Sequence, residues 1–239
     1  MHQTHTIAKR ELTSLFYSPI AYVVLGIFAL GTSLIFVQYF QPGLPASLRL
    51  TFNGLIWLMI FLVPAISMRL ISEEFRTGTV ELLLTSPVSD TQVIIGKWLG
   101  AMGFFATLLA PLLVLALVLE LNASPDWGPI LTGMFGLVLV AGLYLAIGTF
   151  ASALTQNQII AFLVTIFIIC LMTIAMYFMP RAQWVPLGLS RAMLYINVNT
   201  QFDTFNKGLL ALPNVIYFVS GIVLFLFMAI KTLESRRWR

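Results

Sequence analysis

The sequence predicts an all-α polytopic membrane protein with six transmembrane helices. Of its 239 residues, 59% are hydrophobic and only 9% are charged, against roughly 25% charged in an average soluble domain. The apolar residues form six continuous runs of about the length that crosses a bilayer, and continuous runs favour helices over a β-barrel. Between the second and third runs lies ISEEFRTGTVELLLTSPVSD, residues 71–90, which holds five of the 22 charged residues.

The N-terminal stretch, about residues 5–17, is predicted to be an amphipathic helix. Apolar residues recur there at helical spacing, Lys9 and Arg10 fall on the opposite side, and Glu11 interrupts the apolar stripe. Pro19 restricts the residue before it to an extended conformation. We therefore expect this helix to be separate from the first span and to lie in the membrane interface.

The whole chain, 1–239, is interpreted as one transmembrane domain. Its predicted spans cover about residues 19–40, 52–70, 91–120, 129–154, 158–179 and 212–232. Pro64 predicts a kink or an early unwinding in the second span. Aromatic, apolar and turn residues between about 180 and 211 predict an outward helical hairpin that dips into the outer leaflet.

Two pairs of small residues at helical spacing are candidate sites of close helix packing. They are Gly96-x-x-x-Gly100 in the third span and Gly148-x-x-x-Ser152 in the fourth.

The distribution of lysine and arginine predicts that both termini are cytoplasmic, because short cytoplasmic loops carry the excess of positive charge. In that orientation four basic residues face outward, namely Arg49, Arg181, Arg191 and Lys207. Nine face the cytoplasm, namely Lys9, Arg10, Arg69, Arg76, Lys97, Lys231, Arg236, Arg237 and Arg239. Because the cations follow the span ends, the net charge of +4 indicates membrane orientation, and we expect no nucleic-acid partner.

Several kinds of chemistry are not indicated by the sequence. The nearest match to a phosphate-binding Walker A loop is Gly96-Lys97, but Thr91 replaces its first glycine and Trp98 its serine or threonine. The two histidines lie near the N-terminus, the single cysteine, Cys170, lies in an apolar run, and the span centres carry no ionisable residue. We expect no bound cofactor, no metal site and no catalysis, and ion-coupled transport is disfavoured.

The charged loop is predicted to be structured. Ser72 is a candidate helix cap with two glutamates in the first turn after it, and Gly78 breaks that helix. Thr79 is the candidate cap of a second short helix that Pro87 ends, and Ser89 opens a capping box before the third span. Acidic residues beside exposed leucines suit a groove on another protein better than an anionic lipid surface.

The loop also carries a recognisable motif. The pattern Glu73-Glu74-x-x-x-Gly78-Thr79-x-Glu81-x-Leu83-x-x-x-Pro87, placed just after the second span, resembles that of ABC type-2 transporter permeases. The start KRELTSLFYSPIAYVV and the chain size resemble the subgroup of gliding-motility-associated permeases. The resemblance implies a coupling element at about 72–88 that docks on an ATPase through Glu73, Glu74, Gly78, Thr79, Glu81, Leu82, Leu83 and Pro87. It implies a secondary ATPase contact through Lys9, Arg10 and Glu11.

The resemblance further implies the transmembrane subunit of an ATP-driven exporter in the bacterial cytoplasmic membrane. Its expected partners are a cytoplasmic ABC ATPase that binds ATP and magnesium, membrane lipid, and a second permease copy or a paralogue. An auxiliary membrane subunit with a periplasmic domain is a further candidate partner. The uncharged spans suggest a substrate with a large apolar part or a bulky polymer, and motility does not follow from the subgroup name. The alternative is a non-transporting membrane scaffold that anchors an ATPase-driven complex.

Overall fold

A computed structural model describes residues 2–41, 46–78, 88–182 and 185–237 of the chain. Within these ranges the secondary structure is helical and no strand occurs. In this described part of the chain, six helical segments are long and apolar enough to cross a membrane. The predicted class, an all-α polytopic membrane protein, is therefore confirmed.

The helices up to the centre of the chain follow the predicted order. They are α1 His2–Phe16, α2 Pro19–Tyr39, α3 Arg49–Ser67, α4 Ser72–Thr77, α5 Asp90–Leu108, α6 Ala110–Asn122 and α7 Trp127–Leu154. The predicted separation of α1 from the first span is observed: Ser18 is extended, and Pro19 takes the first helical position, where its missing N–H removes no helical hydrogen bond.

The remaining described helices include a span that changes helix type along its length. α8 Gln158–Cys170 continues as a π-helical segment, Leu171–Ala175, and then as a short α-helical turn and a 3₁₀ turn that ends at Arg181. Beyond it come α9 Leu187–Ile196, α10 Val198–Asn206 and α11 Leu212–Arg237. α9 and α10 form the predicted helical hairpin before the last span.

Prolines act differently in the second and third spans. Helix α3 continues past Pro64 and ends at Ser67, so the chain unwinds after this proline rather than at it. The third span was predicted to be continuous but divides at Leu109, between α5 and α6. The physical reason is Pro111, whose ring cannot follow an unbroken helical turn but is tolerated at the start of a new helix.

Helix α7 is the centre of the bundle and contacts α3, α5, α8, α10 and α11. Small residues permit this packing. A methyl group at Gly133 would lie 2.4 Å from the Phe52 ring, and one at Gly148 would lie 1.9 Å from the Ser67 hydroxyl. The predicted close packing at Gly148-x-x-x-Ser152 is therefore observed between α7 and the end of α3.

The hairpin is fixed to the bundle by buried polar contacts. Asn197, between α9 and α10, accepts a hydrogen bond from the Thr200 N–H and donates one to the Thr173 carbonyl in the π-helical segment, at 2.8 Å. The hydroxyl groups of Thr173 and Tyr144 of α7 are also 2.8 Å apart. We call this end of the bundle the hairpin end. The opposite end, with α1, α4 and the end of α11, is the elbow end.

Candidate functional site

The candidate site is built around the elbow, residues 68–71, which joins α3 to α4. The Ser152 hydroxyl of α7 accepts hydrogen bonds from the N–H groups of Ile71 and Ser72, at 3.0 and 2.9 Å, and donates one to the Met68 carbonyl at 2.9 Å. The prediction that Ser72 caps α4 is wrong, because Ile71 holds the cap position and the Ser72 hydroxyl bonds back to Met68. The first turn of α4 is capped from another span.

Replacing Ser152 by alanine is expected to loosen the start of α4. The change leaves two buried N–H groups without their acceptor, and each such group costs about 1–3 kcal/mol. Hydrogen exchange of residues 71–77 should accelerate. The matched control is Ser220→Ala, which removes an exposed hydroxyl that bonds within its own helix. Unchanged exchange in Ser152→Ala would contradict the capping role.

The two glutamates of α4 point in different directions. Glu73 is half-exposed and makes long ion pairs with Arg69, at 3.8 Å, and Arg76, at 3.9 Å. Such long pairs with a half-exposed carboxylate contribute little stability, so Glu73 stays available to a partner. Glu74 turns towards the bundle. Gly78 ends α4 with a φ of 70°, the left-handed conformation that favours glycine, so the predicted break is observed.

Helix α4 leads directly into the rest of the predicted coupling element. Its other predicted residues, Thr79, Glu81, Leu82, Leu83 and Pro87, lie outside the described residues. The third span then begins at the predicted capping box, in which the Ser89 hydroxyl accepts from the Gln92 N–H and the Gln92 side chain accepts from the Ser89 N–H.

A buried ion triad lies behind α4, and we call it the ionic node: Glu11, Glu74 and Lys97. The Lys97 ammonium of α5 is 3.1 Å from a carboxylate oxygen of Glu11 in α1 and 2.9 Å from one of Glu74 in α4. The exposed fraction of the side chains is 6% for Lys97, 13% for Glu11 and 21% for Glu74. Lysine rarely becomes this buried without a partner, and here it has two carboxylates.

The fit between α1 and α5 places Glu11 in the node. A methyl group at Gly96 would lie 2.8 Å from Ile7, and one at Gly100 would lie 2.7 Å from Cβ of Glu11 and 2.8 Å from the Ala8 carbonyl. The predicted close packing at Gly96-x-x-x-Gly100 is thus observed, and its partner is α1. Glu11 interrupts the apolar stripe of α1 because it meets Lys97 across this contact.

The predicted secondary contact residues of α1 differ in exposure, as Glu73 and Glu74 do. Lys9 and Arg10 are exposed, whereas Glu11 is occupied in the node. At the end of α1, the Arg69 guanidinium donates to the carbonyl and to the hydroxyl of Ser14, both at 3.2 Å. Arg69 therefore ties α1 to the elbow a second time.

The end of the last span covers the other side of α4. The Arg236 guanidinium lies over the Phe75 ring, 4.5 Å from its centroid, and donates to the Leu154 carbonyl at the end of α7. Next to this contact a depression of about 520 Å³ opens between α4 and the turn from α7 to α8, lined by Phe75, Arg76 and residues 156–159. Helix α4 is therefore held on two sides and borders an open depression.

Comparison with known families identifies the chain. A family model described as ABC-2 family transporter protein matches residues 5–230. The chain belongs to this family. An ABC-2 family chain is a membrane component of ABC transport rather than a catalyst, and members of the family work with a cytoplasmic ABC ATPase. No curated protein matches the sequence. The gliding-motility subgroup stays a resemblance.

Several residues of this ABC-2 site were not assigned to it from the sequence, namely Arg69, Phe75, Lys97, Ser152 and Arg236. For Lys97 a signal existed. Lys97 lies between the two glycines of Gly96-x-x-x-Gly100, and a cation within a close-packing motif indicates a buried ion partner. The acidic residue in the apolar stripe of α1, Glu11, indicates the partner for this cation. Phe75 and Arg236 are far apart in sequence and gave none.

Proposed function

We propose that this ABC-2 family chain is the transmembrane subunit of an ATP-driven exporter of the bacterial cytoplasmic membrane. In this proposal both termini are cytoplasmic, two copies form the translocation pathway, and a separate ATPase docks on the coupling element. The observation that carries the proposal is the support of α4, which bonds or packs to α5, α7 and α11, is joined to α1 through Lys97, and leads into the segment with Glu81 that follows Gly78. A segment fixed in this way transmits displacement to the spans.

The arrangement of charge at the elbow end supports docking of a soluble partner there. Glu73, Arg76, Lys9 and Arg10 all keep exposed or half-exposed side chains on this end. The depression beside Phe75 gives the partner an open surface next to α4. Exposed charged side chains of this kind suit the polar rim of a protein interface.

The packing order supports a pathway next to spans 1, 2 and 5. Helix α3 contacts both α2 and α8, so these three helices are neighbours in the bundle. Apolar side chains of α2 and α8 point away from the bundle, among them Leu30, Leu34, Leu163 and Phe167. In the proposed dimer these faces meet the second copy, lipid or an apolar substrate.

The proposed function is tested by the response of the ATPase. The ABC ATPase that co-purifies with the tagged wild-type chain should hydrolyse ATP faster in its presence. Glu81→Lys and Glu73→Lys should weaken this stimulation, because they reverse charge on the proposed docking face. The matched control, Glu120→Lys, makes the same change at the hairpin end and should stimulate like the wild type. Equal stimulation by all variants would overturn the docking role.

The same preparation separates an exporter from a scaffold. In inverted vesicles an exporter accumulates substrate only with ATP, whereas a scaffold binds the ATPase without accumulation. Fluorescent amphiphiles are the first probes, since the uncharged spans suit a substrate with an apolar part.

A further inference from the structure

The ionic node joins three parts of the chain that are distant in sequence. Glu11 lies on α1, Glu74 on α4 and Lys97 on α5, and both carboxylates contact the same ammonium group. A lysine near a span end normally extends its side chain to the water or the lipid headgroups. Lys97 does not, because only 6% of its side chain is exposed. Contact with the membrane surface therefore does not explain this lysine.

Stability is also a poor explanation for the node. Burying three charges carries a large desolvation cost, and replacing a buried triad by uncharged side chains of similar size is often neutral or stabilising. In some proteins such groups instead fix the relative position of the elements that carry them. The node has two carboxylates and one ammonium group, so Lys97 is the shared member through which α1 and α4 are connected.

We propose that Lys97 is a positioning residue that locks α1 and α4 to the third span, so that the three move as one body when the ATPase acts on the coupling element. This inference rests on the proposed function. A second contact lies one turn further along α1, where Arg69, at the elbow, bonds to Ser14. Gly100 also lets α1 approach α5 closely at Glu11, so the two helices are in direct contact at the node.

The node determines which spans follow a movement of the coupling element. Force on the segment after Gly78 reaches the second span through the elbow, where α4 follows α3 in the chain. The node adds a direct contact from α4 to the third span, and through Lys97 to α1. Along the chain these elements are apart, because residues 78–89 separate α4 from α5, and α2 and α3 separate α4 from α1. Without the node, the ATPase should still bind, but its movement should reach only part of the bundle.

The test compares docking with coupling in the full-length chain and its co-purifying ATPase in lipid nanodiscs. The triple variant Glu11→Gln/Lys97→Met/Glu74→Gln removes all three charges, keeps the side-chain lengths and leaves no carboxylate unpaired. We expect it to bind the ATPase at the wild-type ratio and to lose stimulation of ATP hydrolysis roughly fivefold or more. The matched control, Lys231→Met/Glu234→Gln, removes an exposed pair of 2.7 Å on α11 and should leave both readouts unchanged.

A distance measurement detects the rigid body directly. Spin labels at Thr13→Cys and Thr77→Cys, in a Cys170→Ser background, report the separation of α1 and α4. In the wild-type node this distance should stay the same between the nucleotide-free and the vanadate-trapped complex. In the triple variant this distance should differ between the two complexes or broaden. If the node only stabilised the fold, the distance in a folded triple variant would match that of the wild type in both complexes.

The outcomes are distinguishable. Stimulation by the triple variant at the wild-type level, or an unchanged label distance in it, would overturn the role of Lys97 and leave the proposed function intact. If the wild-type chain neither binds nor stimulates an ATPase, both proposals fall. If the triple variant aggregates, Glu11→Gln tests the inference instead. It removes the ion pair between α1 and Lys97 and keeps the pair between Lys97 and Glu74. Wild-type stimulation by Glu11→Gln would then overturn the inference, and Lys97→Arg should retain stimulation.

Discussion

Replacement of Lys97 alone by methionine is expected to lower the free energy of unfolding by about 3–5 kcal/mol, the usual effect of removing one member of a buried ion pair. The change leaves Glu11 and Glu74 facing each other with no cation between them, and α1 should separate from α5. Unfolding in detergent, followed by tryptophan fluorescence, measures the loss.

Two control variants test whether the loss comes from the uncompensated carboxylates. Lys231→Met removes an exposed ion pair and should cost less than about 1 kcal/mol. The triple variant without the three charges should recover most of the stability lost in Lys97→Met, since it has no uncompensated carboxylate. If Lys97→Met unfolds like the wild type, Lys97 does not have the buried, paired environment described above.

Alanine at Gly148 is expected to destabilise the bundle by about 1–3 kcal/mol or more, the range observed for overpacked cores. The added methyl group would lie 1.9 Å from the Ser67 hydroxyl and 2.4 Å from Ser67 Cβ, so α3 and α7 must separate. That separation also withdraws Ser152 from the elbow. We therefore expect a lower melting temperature and faster hydrogen exchange in α4.

The control for this prediction lies in α2. Gly26 is also within a span, but a methyl group there meets nothing within 4 Å, so Gly26→Ala should be neutral or slightly stabilising. The variant Gly148→Ala/Ser67→Gly should regain stability, because it removes both Ser67 atoms that the new methyl group would overlap, and the remaining neighbour, Thr165, lies at 3.4 Å, an ordinary contact. Destabilisation of equal size by Gly26→Ala would show that helical glycines matter for another reason than close packing.

The architecture could be predicted from the sequence because each span carries its own signal. Apolar runs of sufficient length, Pro19 after α1 and the capping box at Ser89 are local features, and local features are what a sequence displays. The break at Leu109 was also readable from Pro111, but the strong hydropathy on both sides of it favoured a continuous span. The π-helical segment after Cys170 gave no comparable signal.

The site was predicted less completely because it is made by contacts between distant residues. Glu73 and Glu74 are neighbours with identical chemistry, and only the position of Lys97 decides that one faces outward and the other inward. Likewise, the sequence assigned the capping of α4 to Ser72, because it could not show that Ser152 approaches from the fourth span. The motif located the element, and the packing of α1 and α7 determined the role of each residue.

The π-helical segment at Leu171–Ala175 has a consequence for the phase of the fifth span. A π turn contains one more residue than an α turn, so the side chains after it are rotated by about 100° from the continuation of α8. Side chains before Cys170 and after Ala175 that face the same direction are therefore not separated by a whole number of α-helical turns in the sequence. A cysteine scan of this span should give two periodic patterns offset at these five residues. In the proposed pathway, the side chains that this span presents to a substrate would therefore change direction along its length.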